Sequence, residues 1–194
     1  MNNNYESAVT RILKVNESDP SKVEVNGEEF AANVLYSQYM GEWQEKLYPE
    51  VAEEVKLAAR AQHICRWELL RNEFPEGRAG YLKWRQTLAQ KHAEILAAIM
   101  ADNHYSPESI ERASLAVSKK NLKTNPDSQV VEDCACLVFL EYYFDDFITK
   151  HTGDKLINIV QKTWGKMSER AHEAALKLSF SDDALAVIQE ALKA

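Results

Sequence analysis

Residues 58–71 read AARAQHICRWELLR. Alanine, leucine, glutamate and arginine favour a helix, and the run holds no glycine or proline to break one. Pro49 suits a first helical position, so a helix is expected from about 50 to 71. At 100° per residue Val51, Val55, Ala58, Ala59, Leu69 and Leu70 share one side. Glu53, Arg60, Glu68 and Arg71 point the other way. Gln62 and Arg66 then fall in the middle of the apolar side, with His63 on its shoulder. An unpaired guanidinium is costly to bury, so this pattern implies a buried polar site with anionic partners.

The next helix, expected at about 79–102, repeats the anomaly. Tyr81, Trp84, Leu88, Ile95, Leu96 and Ile99 form its apolar side, and Arg85 and His92 lie along the centre of it. A third stretch, VVEDCACLVFLEYYFDDFI (130–148), is apolar at nearly every position except its acids, as in a helix buried on most sides. Glu132 and Asp133 stand in its first turn, where the helix dipole favours negative charge, and Glu141 lies within the apolar run. These acids are candidates to pair with Arg66 and Arg85, or to ligate a metal beside His63 and His92.

Outward from this core the chain reads as eight or nine helices. One is expected at about 4–15 and another at about 28–46. Between them SKVEVNGEE alternates like a strand, and Asn26-Gly27 suits a hairpin turn. No second alternating run follows, so the stretch reads as a loop. Ser106-Pro107 is a cap followed by a first-turn proline. A helix from 127 or 128 to about 149 is broken by HTGD, and DDALAVIQEALKA closes the chain. The expectation is an all-α, single-domain multi-helix bundle, with a core at 50–168 flanked by helices at 1–48 and 169–194.

With 194 residues, six glycines and five prolines, a turn-rich β fold is disfavoured. The net charge of −7 argues against a broad nucleic-acid-binding face but allows a local basic groove. Cys65, Cys134 and Cys136 are odd in number and fit reduced core thiols better than a disulfide framework or zinc knuckle. MNNNYESAV shows no secretory signal, and CACLVFLEYYF is too short to span a membrane. A cytoplasmic location is expected. Cations gather around the candidate site in sequence: Arg78 in a glycine-bearing loop, then Lys119, Lys120 and Lys123, then Lys155 and Lys162. Arginine forks suit a phosphate or carboxylate. KTWGKMS (162–168) reads as a lid-like helix end or as packing.

The segments AARAQHICRWELLR, FPEGRAGYLKWR with LAQKHAEIL, KKNLK, QVVEDCACLVFLEYYFDDF and DKLINIVQKTWGKMS resemble, in order over about 58–168, the bacterial and fungal family grouped as domain of unknown function 4202. That resemblance implies an α-helical protein and no established activity. A weaker resemblance is to the HD-domain metal-dependent phosphohydrolases, in the order of His63, His92 and Asp133 along successive helices. It implies an HD-like fold in which these three hold a divalent metal (manganese, iron, nickel or zinc) that activates water against a phosphate ester. Glu132 and Asp133 would be the catalytic carboxylates, and Arg66, Arg78, Arg85, Lys119 and Lys123 would grip the substrate. The sequence departs from that pattern where Ala93, not aspartate, follows His92.

Two functions are therefore expected as alternatives. One is a metal-dependent phosphohydrolase acting on a small phosphorylated or nucleotide substrate. The other is a non-catalytic binding or adaptor protein with an Arg/His pocket for a small anionic molecule. A third reading makes the polar residues a packing network alone. A homodimer is compatible with the sequence.

Overall fold

A computed structural model of the protein describes residues 3–151 and 153–193. The first two residues of MNNNYESAV, Thr152 of HTGD and Ala194 lie outside the described residues. The fold is helical, as the composition implies, with ten α-helices and one short hairpin among the described residues. The chain divides into two compact units, residues 1–131 and 132–194.

The first unit contains α1 (Asn3–Asn16), α2 (Ala32–Leu47), α3 (Glu53–Arg60), α4 (Gly77–Asp102) and α5 (Pro107–Val117). Helix α4 packs on α5, α5 on α3, and α3 on α2 and α1. Ile12, Met40, Leu57, Ile64, Leu96, Met100 and Val117 are fully buried there. Burying side chains of this size contributes about 1.5–3 kcal/mol each, which holds short helices that would be marginal alone. The start of α5 is as the sequence implies: the Ser106 hydroxyl accepts from the Ser109 amide at 3.2 Å, and Pro107 opens the helix.

Helix α6 (Pro126–Val138) carries the chain across the boundary between the units. In the second unit a π turn at Phe139–Tyr143 follows, then α7 (Phe144–Lys150), α8 (Asp154–Trp164), α9 (Glu169–Ala175) and α10 (Asp182–Leu192). The helix expected at 127–149 is thus one helical path with a widened turn inside it. Phe139 meets Phe144 and Phe147 edge-on, with ring centroids 5.6 and 5.2 Å apart. Serines cap the last two helices: Ser168 accepts from Ala171 N at 3.3 Å and Ser181 from Ala184 N at 3.2 Å.

Several local expectations change. SKVEVNGEE is not a loop. Strands β1 (Lys22–Val25) and β2 (Glu28–Ala31) pair antiparallel, with Val25 opposite Glu28. Asn26 and Gly27 both take positive φ, 54° and 83°, as a type I′ turn requires. The second strand, EEFA, escapes notice because its two glutamates and its adjacent Phe30 and Ala31 do not alternate. Helix α2 accordingly begins at Ala32 rather than 28. Pro49 lies in the turn between α2 and α3, not at a helix start, and α3 begins after Ala52.

The largest change concerns the opening segment. Helix α3 ends at Arg60, eleven residues short of the expected end at 71. Beyond it the chain tightens into turns: Gln62 N to Ala59 O, Ile64 N to Ala61 O, and Arg66 N to His63 O, at 3.2, 3.0 and 3.1 Å. Cys65 then takes left-handed φ of 52°, and two short 3₁₀ turns follow, at Arg66–Glu68 and Arg71–Glu73. Ala61 and Ile64 are fully buried in this path. Helix propensities differ by only tenths of a kcal/mol per residue, so the burial of one isoleucine outweighs them.

Candidate functional site

His63 and Arg66 therefore do not point inward from a helix. They stand on a tight turn, three residues apart, with the left-handed Cys65 between them. Left-handed backbone in a β-carbon residue costs about 1–2 kcal/mol. A buried asparagine supports it: Asn16 Oδ1 accepts from the Cys65 amide at 3.4 Å, while Asn16 Nδ2 donates to Asn33 O at 3.2 Å. Asn33 is tied to Asp19, which accepts from its amide at 3.1 Å and its side chain at 2.6 Å. The N-terminal helix and the start of α2 thus hold the turn that carries the arginine.

The Arg66 guanidinium is half-buried. Its Nη1 donates to His63 Nε2 at 2.9 Å, so that nitrogen is the unprotonated one. Its Cζ lies 5.1 Å from the Trp84 ring, in cation–π range. The indole is fixed by its own N–H, which donates to Leu69 O at 3.0 Å. The His63 ring stacks on Tyr36, with centroids 3.8 Å apart and planes 16° apart. Among the described residues neither Arg66 nor Arg85 is paired with a carboxylate. An imidazole and an indole orient Arg66, neither carries a negative charge, and most of its five N–H donors are left over.

His92 lies on α4, its ring centroid 6.3 Å from that of His63. It is 2% exposed, and neither ring nitrogen has a hydrogen-bond partner in the protein. Burial, with Arg66, Lys119, Arg85 and Lys91 adding repulsion, pulls its pKa down to about 3. His63 is held well below its usual range by burial first, then by Arg66, His92, Lys119 and Arg85. Both imidazoles are neutral at pH 7. Burial also lowers the Arg66 pKa, with Arg85 adding to the effect while Tyr36 and Tyr81 oppose it. Lys91 is ion-paired with Glu68 at 2.7 Å. Lys119, like Cys65, takes positive φ, 53°, in the turn after α5. Among the described residues, two of the five non-glycine residues with positive φ thus lie at this cluster.

His63, Arg66 and His92 stand together, and Arg85 and Lys119 are near enough to act on the charge of both histidines. His92 is buried where its helical wheel places it, whereas His63, Arg66 and Arg85 are not. Trp84, Leu88, His92, Leu96 and Ile99 of the expected inner side of α4 are buried, but Arg85 is exposed and Tyr81 is 44% exposed. Gly80, Trp84, Leu88, His92, Leu96 and Met100, spaced by four, are buried together with Ile99. Arg78 and Lys123 are exposed, and neither is among the cations that depress the two histidines. Tyr36, Trp84, Asn16 and Lys91 are participants missed by sequence reasoning. Trp84 was legible as an aromatic one position from Arg85; the others meet the site only through tertiary packing.

Glu132 and Asp133 are buried, at 5% and 0% exposure, but they belong to the second unit and have work there. Asp133 accepts from the Ser168 amide at 2.8 Å and from the Ser168 hydroxyl at 2.5 Å, fixing the loop before α9. Glu132 pairs with Lys166 at 3.4 Å. Glu141 is exposed. Among the described residues no three His, Cys, Asp or Glu side chains gather as a metal ion requires. The expected set of His63, His92 and Asp133 does not fit a divalent cation: the histidines are ringed by positive charge, and both oxygens of the aspartate serve Ser168. All three cysteines are buried and outside any disulfide, and burial, with Glu68, pushes Cys65 up to about 11, so it is not an activated nucleophile.

A family model described as Domain of unknown function (DUF4202) matches residues 6–188. The chain belongs to that family. The match extends beyond both ends of the 58–168 segment that carries the resemblance in sequence, and takes in α1, the hairpin and most of α10. No curated protein and no solved structure matches the chain. No helix among the described residues is long and apolar enough to cross a membrane.

Proposed function

We propose that this chain binds a small anion, bearing phosphate or carboxylate, on Arg66, with Arg85 and Lys119 supplying further positive charge. One observation carries the reading: the half-buried Arg66 is held by neutral His63 and by Trp84, with no carboxylate to satisfy it. Arginines buried for packing are normally paired, because the cost of desolvating an isolated charge is several kcal/mol. Here the guanidinium is pre-oriented, its fork is largely unused, and Arg85 and Lys119 add repulsion that a bound anion removes. Pre-orientation of this kind lowers the entropic cost of binding. The neutral histidines add polar character without adding charge.

Isothermal titration calorimetry with inorganic phosphate and pyrophosphate tests this. Wild type should bind pyrophosphate with an affinity that falls as salt is raised. Arg66→Ala should weaken it by roughly tenfold to a hundredfold, the usual effect of a charge-assisted hydrogen bond. Arg66→Lys should fall between, because a point charge cannot reproduce the fork. Binding that is indifferent to Arg66, or absent in wild type, would sink the reading.

A further inference from the structure

The first turns of α4 place Arg78, Tyr81 and Arg85 at intervals of three and four, on one side of the helix, and all three are exposed. Tyr81 sits beside the anion site. Its ring centroid is 5.8 Å from that of Trp84, whose ring lies against Arg66. Its hydroxyl is close enough to Arg66 to bear on that residue's charge. Leu82 beside it is 53% exposed. A single exposed tyrosine is ordinary on a soluble helix. A flat, open ring set between two arginines that have no carboxylate partners is a different case.

The charges narrow the ligand. Arg66 and Arg85 both act on the charge of His63 and His92, and Arg78 continues the same side of α4 as Arg85. More than one negative charge is needed to balance them, which a phosphate supplies better than a monocarboxylate. The ring narrows it further, since a π face beside a phosphate site suits a molecule carrying both a phosphate and a flat heterocycle.

We infer that the anion taken at Arg66 is the phosphate of a nucleotide whose base stacks on Tyr81. This rests on the anion-site reading above and adds Tyr81 as the residue that selects the ligand. The footprint is a few residues wide in a protein of net charge −7, so it fits a free nucleotide and not a long polyanion.

The test compares adenosine diphosphate with pyrophosphate by calorimetry, at one pH and one salt concentration, on wild type, Tyr81→Ala, Tyr81→Phe and Arg66→Ala. Wild type should bind the nucleotide roughly tenfold or more tightly than pyrophosphate, the usual contribution of base stacking on an aromatic. Tyr81→Ala should erase that advantage, lowering nucleotide affinity by far more than pyrophosphate affinity. Tyr81→Phe should keep it, because the π face and not the hydroxyl is used. Arg66→Ala should weaken both ligands. If pyrophosphate binds through Arg66 but the nucleotide gains nothing, or Tyr81→Ala weakens both alike, the nucleotide inference falls and the anion site stands. A single-stranded oligonucleotide binding far more tightly than the nucleotide would overturn it in favour of nucleic acid. If neither small ligand binds wild type, both readings fall together.

Discussion

His92 concentrates the physical tension of this protein in one side chain. A neutral imidazole offers one donor and one acceptor, and here both are buried without a protein partner. Each unsatisfied buried polar atom costs about 1–3 kcal/mol. Leucine fills a similar volume with no polar atoms. His92→Leu should therefore raise the stability of the ligand-free protein by about 1–3 kcal/mol, read as a higher urea midpoint at unchanged slope. A drop in stability would mean that the ring is satisfied in solution. Arg66 is the counterpart: its neighbours hold it without neutralising it, so its substitution should be felt in binding far more than in folding.

Among the elements, α4 depends on a close backbone approach at its start. A Cβ built on Gly80 would lie 1.8 Å from Pro75 O, 2.7 Å from Pro75 C and 3.2 Å from its Cα. The obstacle is backbone, so no side-chain rotation relieves it. Gly80→Ala should destabilise the protein by about 1–3 kcal/mol or more, the range for overpacking, measurable by chemical denaturation. The same strain would shift the first turns of α4, which carry Arg78, Tyr81 and Arg85, so pyrophosphate affinity should fall with it. The glycine's presence in FPEGRAG was plain as a loop signal, but the sequence did not say that the carbonyl five residues earlier folds back onto it. The hairpin shows the same limit. Asn26-Gly27 and the alternating KVEV announced the turn and the first strand, yet EEFA carries no alternation from which to read its partner.

For the molecule as a whole, the neutral histidines tie stability to pH. Folded His92 holds no proton until about pH 3, and folded His63 is also held well below 6.5, whereas the unfolded chain protonates both near 6.5. Between these limits the unfolded state binds more protons. The stability contributed by keeping the rings neutral is thus full above about 6.5 and is lost as pH falls. Each histidine withdraws at most about 1.4 kcal/mol per pH unit in that window. The groups facing the rings are cations and the Tyr36 ring, so no carboxylate offsets the effect. Urea titrations at pH 7 and pH 5 should show a clear loss at pH 5. His63→Gln/His92→Gln should flatten that dependence, and equal slopes in the variant and wild type would oppose it.

The sequence by itself determined the helical class, because apolar periodicity and helix-forming composition run through most of the chain. It determined the cap at Ser106-Pro107, where the signal is local and chemical. It also marked His63, Arg66, Arg85 and His92 as polar residues among apolar neighbours, since histidines and arginines there stand out without any coordinates. What only the tertiary structure decided is what those residues meet. Helix α3 stops at Arg60 because burying Ala61 and Ile64 outweighs small propensity differences over the next turns. With the helix ended, the wheel that placed Arg66 inward no longer applies, and a left-handed Cys65 aims it at Trp84 instead of a glutamate. Asp133 is claimed by Ser168, thirty-five residues away in sequence. Such partners depend on packing between distant segments, and local periodicity carries no record of them.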